Sequence, residues 1–221
     1  MSSLETLQRP VRAVLFDVYG TLVKIQRVKR PYRQLLDEAR MQHLTLQKEQ
    51  SARDIMCQSL GLSEAAKFYG VELSPSQLCD LERDLEEEVR SLTLFPEVPE
   101  VLRILRDRGY RLGVCSNLAA PYVAPVAHLL EGMVDAAIWS CEVGVMKPDR
   151  AIYELAASRL DTAPAELLMV GDSKPADVIG PRAAGLRALH LDRRTGGGDL
   201  TALDGLLSWL SGSDAVTSQV K

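Results

Sequence analysis

Residues 12–22, RAVLFDVYGTL, decide how the rest of the chain is read. Ala13 to Phe16 form a short apolar run suited to a strand buried on both faces, and the run stops at an acid. Asp17 therefore stands at the carboxyl end of a strand, with a turn signal at Tyr19 and Gly20 and a hydroxyl at Thr21. In open parallel α/β sheets, ligands bind outside the carboxyl ends of the strands, so an acid there is placed for chemistry. An aspartate can equally well cap a turn. The residues at the ends of three later strand candidates decide between the two readings.

Residues 111–115 read as a strand ending in Ser116 and Asn117, and residues 136–139 as one with a loop behind it that reaches Lys147. Residues 167–170 read as a third, ending in Gly171 and Asp172 with Asp177 close behind, and residues 186–191 as one more. Helical stretches separate them: residues 97–108 closed by Gly109, residues 120–130, a helix capped by Asp149 that runs through Ala157, and residues 176–184 closed by Gly185. Strands alternating with helices predict an α/β fold, a doubly wound parallel sheet with helices on both faces. The glycines at 196–198 read as a connector before a last helix over residues 201–210, and the serine-rich end from Ser211 as a frayed tail.

Between the first two strands the character changes for about seventy residues, because strand-like runs give way to helical spacing. Pro31 fits the first position of a helix carrying Leu35, Leu36, Ala39 and Leu44. A second helix holds Ala52, Ile55, Met56 and Leu60 with Gly61 as its C-cap, and Ser63 caps a short third one ending near Gly70. In the fourth, Ser74, Pro75 and Gln77 form a capping box. Leu78, Leu81, Leu85, Val89 and Leu92 run down one face of it, and Glu82, Asp84, Glu86, Glu87 and Glu88 form a solvated face. The division expected is a core of residues 1–23 and 93–221 interrupted by a helical unit of residues 24–92. Lys24, Arg27, Lys29, Arg30 and Arg33 crowd its entry and read first as a solvated hinge and helix start, with a cation facing the cleft beneath to steer an anionic substrate as the alternative.

A chain of 221 residues buries a full core, and 46% hydrophobic with 25% charged residues is an ordinary globular composition. A net charge of −4 gives no footprint for nucleic acid or an acidic membrane surface. Cys57, Cys79, Cys115 and Cys141 are scattered without a C-x-x-C pair, which fits neither a zinc site nor a disulfide scaffold and suits a reducing compartment. With no apolar stretch near the length of a membrane helix and no signal-like opening run, a cytoplasmic protein is expected.

Asp17, Ser116, Lys147 and Asp172 with Asp177 thus lie beyond four separate strands, and a parallel sheet brings those ends to one edge. A carboxylate nucleophile, a hydroxyl and an ammonium for anionic oxygens, and further carboxylates for a hard cation suit phosphoryl or related displacement chemistry. The segments DVYGTL, VCSN, MKPD and GDSKPAD, in this order and spacing, resemble the haloacid dehalogenase-like hydrolase superfamily over nearly the whole chain up to about Asp192. The resemblance implies a Rossmann-like core with the helical unit as a small cap. It also implies a small anionic substrate, Asp17 as nucleophile, Ser116 and Asn117 on the substrate's anionic group, and Lys147 neutralising its charge. Thr21 and Tyr19 would border the substrate, and Mg²⁺ would be held by Asp17, the backbone carbonyl of Tyr19, Asp172 and Asp177.

One departure from the family pattern matters. Phosphatases of the family carry a second acid two residues after the nucleophile, and here that residue is Tyr19. D-x-Y-G-T-L resembles the 2-haloacid dehalogenases instead, as does Tyr153, although an aromatic there also serves helix packing. GDSKPAD speaks for a metal-dependent phosphatase, because it keeps an acid at Asp172 that the dehalogenase branch lacks. The expectation is therefore Mg²⁺-dependent hydrolysis of a small phosphate ester, with 2-haloacid hydrolysis as the alternative. A weakly active, metal-binding regulatory protein is a third reading.

Overall fold

The computed structural model describes residues 10–218, with side chains through residue 212 except that of Lys48. The expected leading segment, residues 1–9, and the last residues of the tail, 219–221, lie outside the described residues. Five parallel strands form the sheet: β1 (Ala13–Phe16), β4 (Arg111–Ser116), β5 (Ala136–Trp139), β6 (Leu167–Gly171) and β7 (Arg187–His190), in the order β5-β4-β1-β6-β7. From β1 the chain moves outward through β4 to β5, then crosses to the other side for β6 and β7. The reversal leaves a crevice at the carboxyl end of β1, between β4 and β6.

Strand β1 has no solvated face, as its unbroken apolar run requires. Val14 and Phe16 pack in one core layer with Val101, Leu102 and Leu105 of helix α5 (Val98–Asp107) and with Leu206 and Leu210 of α10 (Gly205–Ser218). Ala13 and Leu15 face the other layer, against Ile152, Tyr153, Ala156 and Leu160, the first three on α8 (Arg150–Arg159). Phe16 pairs in register with both Val114 and Val170, which brings Asp17 level with the ends of both neighbouring strands.

The helical insertion between β1 and β4 contains α1 (Pro31–Met41), α2 (Lys48–Cys57), α3 (Leu62–Tyr69) and α4 (Pro75–Arg90). Pro31 opens α1, and the Ser74–Gln77 capping box opens α4 with both reciprocal hydrogen bonds formed. The insert is joined to the core by an antiparallel pair, β2 (Val23–Ile25) with β3 (Leu92–Leu94). Three-residue strands are too short to show a period, so the sequence pattern does not reveal this stem, and the boundaries expected after residues 23 and 92 run through its two strands.

Other boundaries shift for local reasons. The stretch 120–130 divides into a 3₁₀ turn (Ala120–Tyr122) and α6 (Val123–Leu129), and a single turn, α7 (Ser140–Val143), follows β5. Helix α2 ends at Cys57, so Gly61 does not cap it; Gly61 precedes α3, which places Ser63 inside that helix, and Gly70 closes it in the left-handed conformation. Asp149 stands at the N-cap of α8 without a side-chain cap bond, because its carboxylate pairs with Arg53 of α2. Helix 176–184 is instead a π-helical turn (Lys174–Ile179) continued by α9 (Gly180–Ala183). The last helix begins at Gly205 rather than at residue 201, and the segment expected to fray continues it to Ser218. Among the described residues no helix is long and apolar enough to cross a membrane.

Candidate active site

Asp17 is buried, and its backbone N–H donates to the Val170 carbonyl at 2.9 Å, so the sheet's own hydrogen-bond ladder fixes where it leaves β1. The chain then folds into a tight loop in which the N–H groups of Thr21, Leu22 and Val23 all converge on the Val18 carbonyl. Gly20 takes a positive φ of 79°, and a Cβ there would run into the Asp172 carboxylate. The glycine thereby serves two needs, the turn itself and the close approach of Asp172.

Lys147 joins the strand ends. Its Nζ donates to Asp17 Oδ1 at 2.7 Å and to Asp177 Oδ1 at 2.6 Å, and its side chain is 2% exposed. Asn117 holds the lysine's backbone on both sides: its Nδ2 donates to the Lys147 carbonyl and its Oδ1 accepts the Lys147 N–H, each at 2.8 Å. The Asn117 amide, expected on the substrate, is thus engaged in positioning Lys147. Asp177 accepts from Lys147 on one oxygen and from the Ser173 N–H on the other, at 2.9 Å. Tyr153 is buried in α8 and donates to the Ala176 carbonyl at 2.5 Å, which anchors the π-helical turn carrying Asp177. Ser116, the last residue of β4, and Thr21 are also buried, and the Thr21 hydroxyl has no hydrogen-bond partner among the described residues.

Carboxylate oxygens of Asp17, Asp172 and Asp177 lie within 4.8 Å of one another. Burial pushes the Asp17 carboxyl up, to about 6, against the pull of the Lys147 ammonium and with the push of Asp177 and Asp172. Asp172 is open to solvent on one side, yet its packing on the other and the Asp177 charge also push its carboxyl upward. For Lys147, burial alone would favour the neutral amine, and the Asp17 and Asp177 carboxylates outweigh it, so the ammonium is retained. Three carboxylates against one ammonium leave a surplus of two negative charges. A divalent cation would balance that surplus, and an all-oxygen donor set suits a hard one.

Tyr19 separates two clefts. On one side a cleft of about 250 Å³ lies between insert and core, bordered by Tyr19, Tyr32, Ile55, Leu118 and Tyr122, with Arg30 and Arg33 also on its lining. On the other, a larger cleft of about 580 Å³ runs past Gly20, Asp172, Lys24 and Arg194. The Tyr19 ring stands edge-on to Tyr122 with centroids 6.1 Å apart, and its hydroxyl is buried without a hydrogen-bond partner among the described residues. Burial, and after it the Glu88 and Asp17 charges, raises that phenol above its usual range.

Comparison with known proteins places this constellation. A family model described as haloacid dehalogenase-like hydrolase matches residues 11–185. The chain belongs to that hydrolase family. Phosphoserine phosphatase of Thermus thermophilus is 32% identical over 123 residues, 54% of this chain and 49% of the phosphatase. The chain spans about half the length of such phosphatase relatives. Haloacetate dehalogenase H-2 of Moraxella sp. is 28% identical over 203 residues, 84% of this chain and 87% of the dehalogenase. The crystal structure of a HAD phosphatase from Thermococcus onnurineus matches with a TM-score of 0.63 at 25% identity, covering 91% of this chain and 99% of that one.

Three residues of this hydrolase that belong to none of the sequence motifs also shape the site. Arg193, just beyond β7, donates from Nε to the Gly20 carbonyl at 3.1 Å and from Nη2 to the Thr21 carbonyl at 2.8 Å. Its guanidinium also lies 3.8 Å from the centroid of Phe95 and 2.6 Å from Glu97, so it pins the Asp17 loop from outside. His190 donates from Nε2 to the Asp172 carbonyl at 3.1 Å. Glu88, expected on a solvated face, is 4% exposed. It accepts the N–H groups of Lys29 and Arg30 and, at 2.7 Å, the Tyr122 hydroxyl. It thereby holds Arg30, whose φ of 60° is unusual for a side-chain-bearing residue, at the entry to α1.

Proposed function

We propose that this hydrolase cleaves small phosphate esters with Mg²⁺, through Asp17 as nucleophile and with the helical insert as a cap over the site. The observation that carries this reading is Asp172, whose carboxylate is brought against the Asp17 loop by the missing side chain of Gly20. Halide displacement from a haloacid has no use for that third carboxylate, and holding it there without a cation would be unfavourable.

Asp17, Asp172 and the Tyr19 carbonyl would hold the ion, while Asp177, both of whose oxygens are engaged, would orient Lys147. When bound, the ion would supply charge neutralisation for the phosphoryl group and the attacking carboxylate. Asp17 would attack phosphorus, forming an aspartyl phosphate as the bond to the leaving oxygen breaks. Lys147 would stabilise negative charge on the transferring group, and the Ser116 hydroxyl at the end of β4 would donate to its oxygens, whereas Thr21, fully buried, would serve the loop rather than the substrate. Water would then release phosphate and restore the carboxylate.

The second reading, 2-haloacid hydrolysis, is favoured by Tyr19 in the place of an acid and by likeness to a haloacetate dehalogenase over most of its length. Asp172→Ser separates the two. Under the phosphohydrolase reading it abolishes Mg²⁺ binding in calorimetry and phosphate release together. If Asp172→Ser leaves turnover intact, the reading is wrong.

A further inference from the structure

The cleft beneath the insert constrains which phosphate esters can react, a constraint that rests on the phosphohydrolase reading. Its lining contains Tyr19 and Asn117, so it opens directly beside the loop that carries Asp17 and beside the clamp on Lys147. A leaving group displaced from phosphorus at Asp17 would be received there. The walls are apolar or aromatic: Ile25, Tyr32, Ile55, Met56, Leu118 and Tyr122. An apolar cavity of about 150 Å³ accommodates benzene, so about 250 Å³ is room for a single substituted ring.

Among the described residues the one carboxylate on that lining is Glu88, and both of its oxygens are committed, to the Tyr122 hydroxyl and to the backbone of Lys29 and Arg30. Tyr19, at the position of the family's acid, serves as a wall: its ring abuts Tyr122, and its hydroxyl is buried without a partner. Arg30 and Arg33 lie on the lining as exposed cations, suited to drawing in an anion and unsuited to giving up a proton. No carboxylic acid on that lining is therefore free to protonate a departing alkoxide, and the apolar walls offer little to a hydroxylated or zwitterionic leaving group.

We infer that the natural substrate is a phosphate joined through an acidic oxygen to a compact apolar or aromatic body, an aryl or acyl phosphate. The phosphorus–oxygen bond breaks with its electron pair on the leaving oxygen, which departs as a phenolate or carboxylate and needs no proton. Water then cleaves the aspartyl phosphate; its oxygen stays on phosphorus, both protons leave with the dihydrogen phosphate, and Asp17 recovers its carboxylate.

The test is kcat/KM, with Mg²⁺, for phenyl phosphates of graded phenol acidity, benzoyl phosphate, phosphoglycolate, phosphoserine and a simple alkyl phosphate. A positioned general acid is worth about 10²–10⁴-fold, so aryl and acyl phosphates should exceed the alkyl esters by about 10²-fold or more, with rates rising as the leaving group becomes more acidic. Tyr19→Asp should raise turnover of the alkyl esters and flatten that dependence. Phosphoglycolate or phosphoserine turned over as fast as phenyl phosphate by the wild-type chain would overturn the inference while leaving the phosphohydrolase reading standing. Halide release from a 2-haloacid with no phosphate release from any ester would overturn both.

Discussion

Arg193→Gln removes a side chain that never appears in the family motifs, and its contacts set how much should be lost. The guanidinium makes two charge-assisted hydrogen bonds to the Gly20 and Thr21 carbonyls, an ion pair with Glu97 at 2.6 Å and a stacked contact with Phe95 at 3.8 Å. Only 16% of its side chain is exposed, so solvent screens these contacts weakly. Hydrogen bonds to charged groups contribute about 1.5–3 kcal/mol each and a cation–π contact about 0.5–2 kcal/mol, but contacts sharing one side chain are not additive. Glutamine keeps one donor group and part of the packing, which leaves a net loss of about 3 kcal/mol. For a chain of this size that corresponds to a fall in Tm of about 6–12 °C. Because the carbonyls it holds belong to the Asp17 loop, misplacement of the carboxylate should lower kcat by about 10–100-fold with a smaller change in KM. Thermal unfolding and steady-state kinetics on an aryl phosphate check both, and Arg193→Lys should recover stability better than rate. An Arg193→Gln variant with unchanged Tm and unchanged kcat would refute the reasoning.

Glu88→Ala should destabilise the fold by about 2–4 kcal/mol in urea unfolding, since it strands the Lys29 and Arg30 N–H groups and the Tyr122 hydroxyl. Within the basic run, Lys29 is paired with Asp84 and Glu87, whereas Arg33 is on the lining of the cleft beneath the insert. Arg33→Gln should therefore raise KM, with a weaker ionic-strength dependence than the wild type, and Arg27→Gln should leave kinetics unchanged. Burial pushes the Cys115 thiol up to about 12, while Cys79 is exposed. Thiol titration of the native protein at neutral pH should thus modify Cys79 quickly and Cys115 only on unfolding, as mass spectrometry of the labelled peptides would show.

The sheet is legible in the sequence because each strand is a short apolar run ending in a polar group, and a strand buried on both faces leaves that signature without ambiguity. Asp17, Ser116 and Asp172 stand out at those ends, and Lys147 and Asp177 on the segments that follow them. Arg193 obeys the same logic, two residues beyond Leu191, yet it belongs to no motif and nothing around it marks it out. The backbone carbonyls it holds are more than 170 positions away, which no local pattern encodes. Glu88 does carry a signal: it lies seven residues after Leu81 and three after Leu85, which puts it on the apolar face of α4. A count of acids along the helix hides this, because a buried carboxylate is tolerated only when donors from elsewhere satisfy it. Asn117 is legible at the strand end, but only the fold shows its amide turned onto the backbone of Lys147.

Mg²⁺ on Asp17 and Asp172, acting on a phosphate ester, is what most needs measuring. A paired assay reads it directly: phosphate release from an aryl phosphate and halide release from a 2-haloacid, each measured with Mg²⁺ and with excess chelator. Phosphate release that chelator abolishes and added Mg²⁺ restores is expected, with no halide release in either condition. Halide release that persists undiminished in chelator, with no phosphate released, would contradict it.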